Sequence, residues 1–141
     1  MATYPNQELN PQWVQSPITD EVVQWCKSFA EYLSPQSRPQ NGRRNSDPLT
    51  TSQLRKFFGQ IRLIESDVVT HKAELAMLKP YLAYAVGRDK KKTRIDVFAA
   101  QISKALDGIR KDDEHIKEDF KNFISIYEAI VAYHKFYGGK E

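Results

Sequence analysis

The segment DDEHIKED, residues 112–119, has the residue types that could hold a metal ion. On a helix, Asp112, His115 and Asp119 can share one face, an arrangement that resembles half of a two-metal carboxylate site. The sequence contains no second half of such a site, and no phosphate loop, dinucleotide fingerprint or HExxH zinc motif. We therefore interpret the segment as the exposed, salt-bridged start of a helix, and we expect no enzyme activity, no metal and no cofactor.

A second group of residues could bind phosphates. Arg55 and Arg62 are seven residues apart, so on a helix they project from nearly the same side, with Gly59 between them. Two guanidinium groups could grip the phosphates of an extended polymer, and the missing side chain of Gly59 would let that polymer lie close to the backbone. Gly59 could equally permit close packing of another helix, and the sequence leaves both alternatives open.

A run of positive charge follows further along the chain. Residues 88–94, RDKKKTR, hold five cations and one carboxylate. Such a run is either part of a binding surface or a solvated loop whose charge favours the C-terminus of the preceding helix.

The segment AIVAYHKFYGGKE, residues 129–141, combines cations with aromatic rings next to a glycine pair. Its candidate surface residues are His134, Lys135, Tyr137 and Lys140. This mixture is typical of surfaces that hold RNA backbones and stack bases. Tyr133 and Phe136 could instead be core residues, because aromatic residues at helical spacing usually are.

Helical periodicity runs through most of the chain and predicts an all-α, single-domain bundle of about five helices. The helix starts are predicted at Thr19 or Asp20 for the first, at Thr50 with Gln53 as a capping box for the second, near Thr93 for the fourth and at Asp112 for the fifth. No strand-like alternation competes with this pattern.

The third helical segment is AELAMLKPYLAYAVGR, residues 73–88, and it is apolar around most of its circumference. We therefore expect it to be the central element of the bundle. Pro80 either kinks this helix after Lys79 or opens a second helix within its first turn. Gly87 is the predicted C-cap.

The chain before the bundle has a different composition. Residues 1–17 and the Pro-, Ser- and Arg-containing linker at 34–48 lack periodicity and predict loop or disorder. The domain prediction is thus a poorly ordered N-terminal segment, 1–48, with one short helix at about 19–33, followed by the bundle at 49–141. The short helix could dock on the bundle or swing on its linker.

The size and charge of the protein fit this picture. Its 141 residues carry a formal net charge of +3, as expected for one mildly basic domain. No apolar run approaches the ~20 residues that a membrane helix needs, and the first residues lack the layout of a secretory signal. Cys26 is the single cysteine and is expected in the core. We expect a cytoplasmic protein without a membrane partner.

Three stretches together resemble a known family. They are LTTSQLRKFFGQI from Leu49, LKPYLAYAVGRD from Leu78 and EAIVAYHKFYGGKE from Glu128. In this order they resemble the small helical subunit of the type III-A CRISPR effector, the Csm complex. The resemblance covers residues 49–141, and residues 1–48 show no comparable motif.

The resemblance implies a non-catalytic subunit, present in several copies, inside an antiviral ribonucleoprotein. Its partners would be the guide RNA and target RNA, the other subunits of the complex and further copies of itself. Carried onto matching positions, the RNA-binding residues would be Arg55, Lys56, Lys79, Arg88 and Lys135. Helical geometry adds Arg62, and Lys90, Lys91 and Lys92 lie just beyond the matching motif.

A different class of function stays open beside this one. The protein could be a purely structural interaction module of the same type of assembly, whose basic residues dock on acidic surfaces of neighbouring subunits and never contact RNA.

Overall fold

The computed structural model describes residues 7–34, 49–89 and 93–138, and helices dominate them. In chain order the α-helices are α1 (Asp20–Leu33), α2 (Thr51–Glu65), α3 (Lys72–Ala76), α4 (Leu78–Asp89), α5 (Ile95–Gly108) and α6 (Asp113–Phe136). Helix α3 is one short turn, and the other five have twelve residues or more. The predicted all-α bundle of about five helices is therefore confirmed.

Local sequence signals place the helix starts correctly. The hydroxyl of Thr19 accepts a hydrogen bond from the backbone N–H of Val22 and caps α1. Thr50 and Gln53 form the predicted capping box of α2, in which each side chain accepts from the backbone N–H of the other residue. Asp112 caps α6 through the N–H of His115. Capping depends on residues three apart, so the sequence alone contains the necessary information.

Helix α6 is the central element of the bundle. Its 24 residues contact α1 most extensively, and α2, α5 and a 3₁₀ helix at Pro11–Gln15 also pack on it. Tyr127 is fully buried at the middle of α6, where its ring meets the rings of Phe57, Phe58, Phe98 and Phe123. Its hydroxyl donates a hydrogen bond to the carbonyl oxygen of Leu54 on α2.

The prediction that residues 73–88 form the central element is wrong. Within α4 the buried residues are Leu78 and Leu82, whereas Tyr81 is 46% exposed and Tyr84 68% exposed. Met77, just before α4, is 50% exposed. The apolar residues around this helix are mainly alanine and tyrosine, which tolerate water better than a ring of Leu or Ile would. Helix α4 therefore packs on one side and leaves the other side in solvent.

Pro80 and Gly87 settle two details of the same segment. Pro80 is the third residue of α4, so it lies in the first turn of a new helix, which is the second of the two predicted alternatives. Gly87 is not a C-cap, because α4 continues through it to Asp89.

Helix α1 docks on the bundle. Its apolar residues at helical spacing are all buried, namely Val22, Trp25, Cys26, Phe29 and Leu33. Burial raises the pKa of the Cys26 thiol to about 12, and its Sγ lies 3.7 Å from the carbonyl oxygen of Ile126 on α6. Cys26 is thus a core residue, as the sequence predicts.

Residues 7–18 form what we call the N-terminal strap, which crosses α5 and α6. Where the sequence predicts loop or disorder, this segment contains a 3₁₀ helix, Pro11–Gln15, and buries Leu9 and Val14. Several long-range hydrogen bonds hold it. Among them, Leu9 N–H donates to Gln101 Oε1, Asn122 Nδ2 to the carbonyl of Val14, and Gln15 Nε2 to the carbonyl of Gly108. The domain boundary at residue 48 stays a prediction, because residues 1–6 and 35–48 lie outside the described residues.

Candidate nucleic-acid interface

Helix α2 presents a basic face to solvent. At 100° per residue, Arg55 and Arg62 lie along one edge of the exposed face and Lys56 along the other, with Gly59 between them. A methyl group placed on Gly59 would meet no described atom within 4 Å. The alternative that Gly59 makes room for another helix of the bundle is therefore wrong for the described part of the chain.

Arg62 makes two contacts with acidic neighbours on this face. Its Nη1 donates to Glu65 Oε1 at 2.8 Å, and its Nη2 lies 3.7 Å from Glu128 Oε2 on α6. The guanidinium also stacks over the ring of Phe58, 4.7 Å from its centroid. More than half of the Arg62 side chain is still exposed. Because exposed pairs of this kind are weak, they leave the cation available to a phosphate.

A cleft of about 440 Å³ separates α2 from α4. Its floor is apolar and includes Phe57, Leu82 and Phe98, which are all buried. Lys56 enters its lining from α2 and Arg88 from α4. The packing of the two helices thus brings two predicted RNA-binding residues to one site, although they are 32 residues apart in the numbering.

Tyr81 and Tyr84 also line this cleft, and the sequence interpretation missed them. Both phenol rings are exposed, whereas the side chains of the floor are buried, so the rings lie at the rim of the cleft. The signal that could have found them is their spacing of three residues beside Pro80, which puts two rings on neighbouring positions of a new helix. Residues 73–88 were instead expected at the centre of the bundle, where both rings would be buried.

Lys79 does not join this surface. It is nine residues before Arg88, so the two side chains leave opposite sides of α4. Lys79 forms an exposed ion pair with Asp107 on α5. Its RNA-binding role stays a prediction, and the structure gives it no common face with Arg88.

The end of α6 differs from the predicted surface of cations and rings. His134 and Tyr137 are buried, so the expectation that they contribute to an exposed surface is wrong. Phe136 is 73% exposed, and the alternative that it belongs to the core is also wrong. Lys135 is exposed at the last turn of α6. Lys140 and Lys90, Lys91 and Lys92 lie outside the described residues.

His134 joins the end of α6 to the start of α2. Its Nε2 lies 2.6 Å from the carbonyl oxygen of Leu49, and its Nδ1 lies 3.4 Å from the hydroxyl of Thr51. A carbonyl oxygen can only accept, so Nε2 carries the proton, and a neutral ring then accepts from Thr51 through Nδ1. Burial lowers the pKa of His134; the bond to Leu49 opposes this shift and nearby Lys135 adds to it.

The depressed pKa of His134 predicts a loss of stability in mild acid. The unfolded chain takes up the proton near the ordinary histidine pKa of about 6.5, whereas the folded protein takes it up at lower pH. The free energy of unfolding should therefore fall as the pH drops from 7.5 through the folded pKa, and this contribution should then level off. Urea unfolding at pH 7.5 and 5.5 would measure this loss. In His134→Gln, the free energy of unfolding should differ less between the two pH values than it does in the wild type. Equal differences in the two proteins would contradict this prediction.

The interpretation of residues 112–119 as half of a metal site is not supported by Asp119. Its carboxylate is buried and accepts hydrogen bonds from the backbone N–H, Nε and Nη2 of Arg110 at 2.9, 2.9 and 3.0 Å. Asp112 Oδ2 instead contacts His115 Nδ1 at 2.6 Å, at the exposed start of α6. The side-chain oxygen and nitrogen atoms of Asp112, Glu114 and His115 lie within 4.8 Å of one another. Their position and the pairing of His115 with Asp112 fit the predicted salt-bridged start of a helix.

The fold and the site define a small all-α bundle with a basic helix face and an aromatic-rimmed surface cleft. The family model described as Csm2 Type III-A matches residues 26–140, so the chain belongs to that family. It is accordingly a small subunit of the type III-A Csm complex, and it associates with other subunits of that complex. The resemblance found in the sequence is confirmed.

The remaining comparisons add no relative. No curated protein and no solved structure matches the chain. Residues 1–25, which include the whole N-terminal strap and the start of α1, lie outside the family match. Among the described helices, none combines the length and apolar character that crossing a membrane requires.

Proposed function

We propose that this protein binds guide RNA and target RNA by their backbones, without sequence specificity, and helps to assemble the antiviral interference complex. The observation that carries the proposal is the convergence of Lys56 and Arg88 in one cleft, with Arg55 and Arg62 exposed along the other edge of the α2 face that carries Lys56. These side chains come from two helices whose relative position is fixed by the core. They form a preorganised cationic surface that a strand of phosphates could follow.

Backbone binding fits the role of a subunit that serves many guides. Base edges differ from one guide to the next, whereas phosphates and sugars are the same in all of them. Several copies along one strand would add their contacts, so a single copy binds weakly and the assembled complex binds tightly. The proposal includes self-association in the complex, action in the cytoplasm and no catalytic role.

Charge reversal at Arg55 and Arg88 tests the proposal. The double variant Arg55→Glu, Arg88→Glu should fold and enter the complex, because both side chains are exposed. Target RNA binding should weaken equally for two unrelated sequences, and the slope of log affinity against log salt should fall by about 2, or about 1 for each lost phosphate contact. Filter binding or fluorescence anisotropy over a series of salt concentrations would measure both quantities.

The matched control is Lys27→Glu, Lys121→Glu. These two lysines are exposed on α1 and α6, away from the α2–α4 cleft, and the variant has the same change in net charge. It should leave the salt slope within about 0.5 of the wild-type value. A strong preference of the wild-type protein for one of the two RNAs, or an equal loss in the control, would count against the proposal.

The structural module without RNA contact is the second candidate function. The exposed side chains of Met77 and Phe136 favour it, because methionine and phenylalanine are enriched at protein interfaces. This candidate predicts that the Arg55→Glu, Arg88→Glu variant fails to assemble. Size-exclusion chromatography of the reconstituted complex distinguishes the two functions, since only the proposed one keeps a full complex with weaker RNA binding.

A further inference from the structure

We propose that the α2–α4 cleft receives one unstacked nucleobase of the bound RNA strand, of any base type. This inference rests on the proposed function and assigns a second kind of contact to the same site. The cations hold the backbone, and the cleft holds a base.

The size and the floor of the cleft suit a planar aromatic ligand. Its volume of about 440 Å³ lies in the range of pockets that bury small ligands, about 300–1,000 Å³. The floor side chains Phe57, Leu82 and Phe98 offer apolar contact to the faces and edges of a base. A purely electrostatic surface for phosphates would not need such a floor.

The rim supplies rings that can stack. Tyr84 and Tyr81 are the large aromatic side chains that α4 exposes beside the apolar floor. Exposing two tyrosines costs the isolated protein favourable burial, and a stacked base would recover it. Proteins that bind single strands without sequence preference use this kind of contact, because every base has a π-face.

The polar groups at one end of the cleft are already paired with one another. Gln53 Nε2 lies 3.4 Å from Asp89 Oδ1 and 3.4 Å from Thr93 Oγ1, and Gln53 Oε1 accepts from the backbone N–H of Thr50. Asp89 Oδ2 also accepts from the N–H of Thr93. With these partners occupied, this end has little capacity to read base edges. Stacking on the two tyrosines is then the main contact, and it should let the cleft accept different bases with similar affinity.

The two cations flank the cleft in a way that matches a nucleotide. Lys56 comes from α2 and Arg88 from α4, so they enter the lining from its two walls. Every base in a strand has a phosphate on each side, and a base turned into the cleft would leave those phosphates near the walls. One cation could then neutralise each phosphate.

Tyr84→Ala tests the inference with two probes of equal backbone. One probe is a 12-nucleotide oligouridylate, and the other is an abasic ribose-phosphate strand of the same length. In the reconstituted complex, Tyr84→Ala should weaken oligouridylate binding about tenfold and leave abasic binding unchanged. Tyr84→Phe should keep wild-type affinity for both probes, because the ring remains. Lys56→Glu, Arg88→Glu should weaken both probes.

The outcomes separate this inference from the proposed function. If Tyr84→Ala leaves both probes unaffected, or weakens both equally, the base site is refuted while backbone binding stands. If Tyr84→Ala blocks assembly while the isolated protein binds both probes as the wild type does, the cleft docks a protein and the inference is overturned. If Lys56→Glu, Arg88→Glu changes neither probe, or if the wild-type complex binds neither, the proposed function fails and the inference fails with it.

Discussion

Gly108→Ala is expected to lower the free energy of unfolding by about 3 kcal/mol. Gly108 ends α5 directly beneath the N-terminal strap, and a Cβ there would lie 2.6 Å from the carbonyl carbon of Pro11 and 2.9 Å from Cγ2 of Val14. Backbone atoms cannot move aside as a side chain can, so the strap would have to lift. Lifting it exposes Val14 and breaks the hydrogen bonds to Asn122 and to the Gly108 carbonyl.

Urea unfolding measures this effect, and Gly59→Ala is its matched control. An alanine at 59 faces open space inside α2, so the higher helix propensity of alanine should stabilise the protein by about 1 kcal/mol. The two substitutions are chemically identical and should have opposite signs. The fluorescence of Trp13, whose ring lies 5.6 Å from that of Trp25, should report the lifted strap in Gly108→Ala. A Gly108→Ala protein as stable as the wild type would show that the strap does not depend on this close approach.

Asp119→Ala should also destabilise the protein by about 3 kcal/mol, since one partner of a largely buried ion pair is removed. The Asp119 side chain is 1% exposed, and its carboxylate accepts three hydrogen bonds from Arg110. These bonds fix the turn between α5 and α6. Without the carboxylate, the Arg110 backbone N–H and guanidinium lose their acceptors, and a cavity replaces the side chain. Thermal or urea unfolding at pH 7 would measure the loss.

The pH dependence of stability gives a second measure of the same pair. Burial by itself would raise the pKa of Asp119, but the hydrogen bonds and charge of Arg110 outweigh it, so the pKa lies below its ordinary value. The unfolded carboxyl takes up its proton near pH 3.9, so the stabilisation is complete above that pH and is lost as the pH falls through the folded pKa. Asp119→Ala should lack this acid-dependent loss.

Asp107→Ala is the control for Asp119→Ala. Asp107 pairs with Lys79 at the surface, where both side chains are substantially exposed. Removing an exposed partner should change the stability by less than about 0.5 kcal/mol. Equal losses in the two variants would mean that the burial of Asp119 has no energetic role.

The sequence predicted best where the interaction is local. The caps at Thr19, Thr50 and Asp112 each depend on a partner three residues away, and all three are present. The common side of Arg55 and Arg62 follows from helical geometry alone. Such features need no knowledge of how helices pack.

Features that depend on distant partners were not predictable in the same way. His134 looked like a surface cation because its neighbours are polar or aromatic, but its partner Leu49 lies 85 residues away. The cleft residues Lys56 and Arg88 come together only through the packing of α2 against α4. Asp119 was expected at the exposed start of a helix, but it is buried against Arg110, which lies outside that helix. Tertiary packing decided each of these outcomes.

The central position of α6 has a consequence for synthesis on the ribosome. Helices α1, α2 and α5 leave the exit tunnel before α6, yet each of them buries apolar side chains against it. Cys26 and Ile126, which meet in the core, are 100 residues apart in the nascent chain. Until α6 emerges, the apolar surfaces that these helices bury against it have no partner, so cooperative folding must wait until translation of this segment is complete.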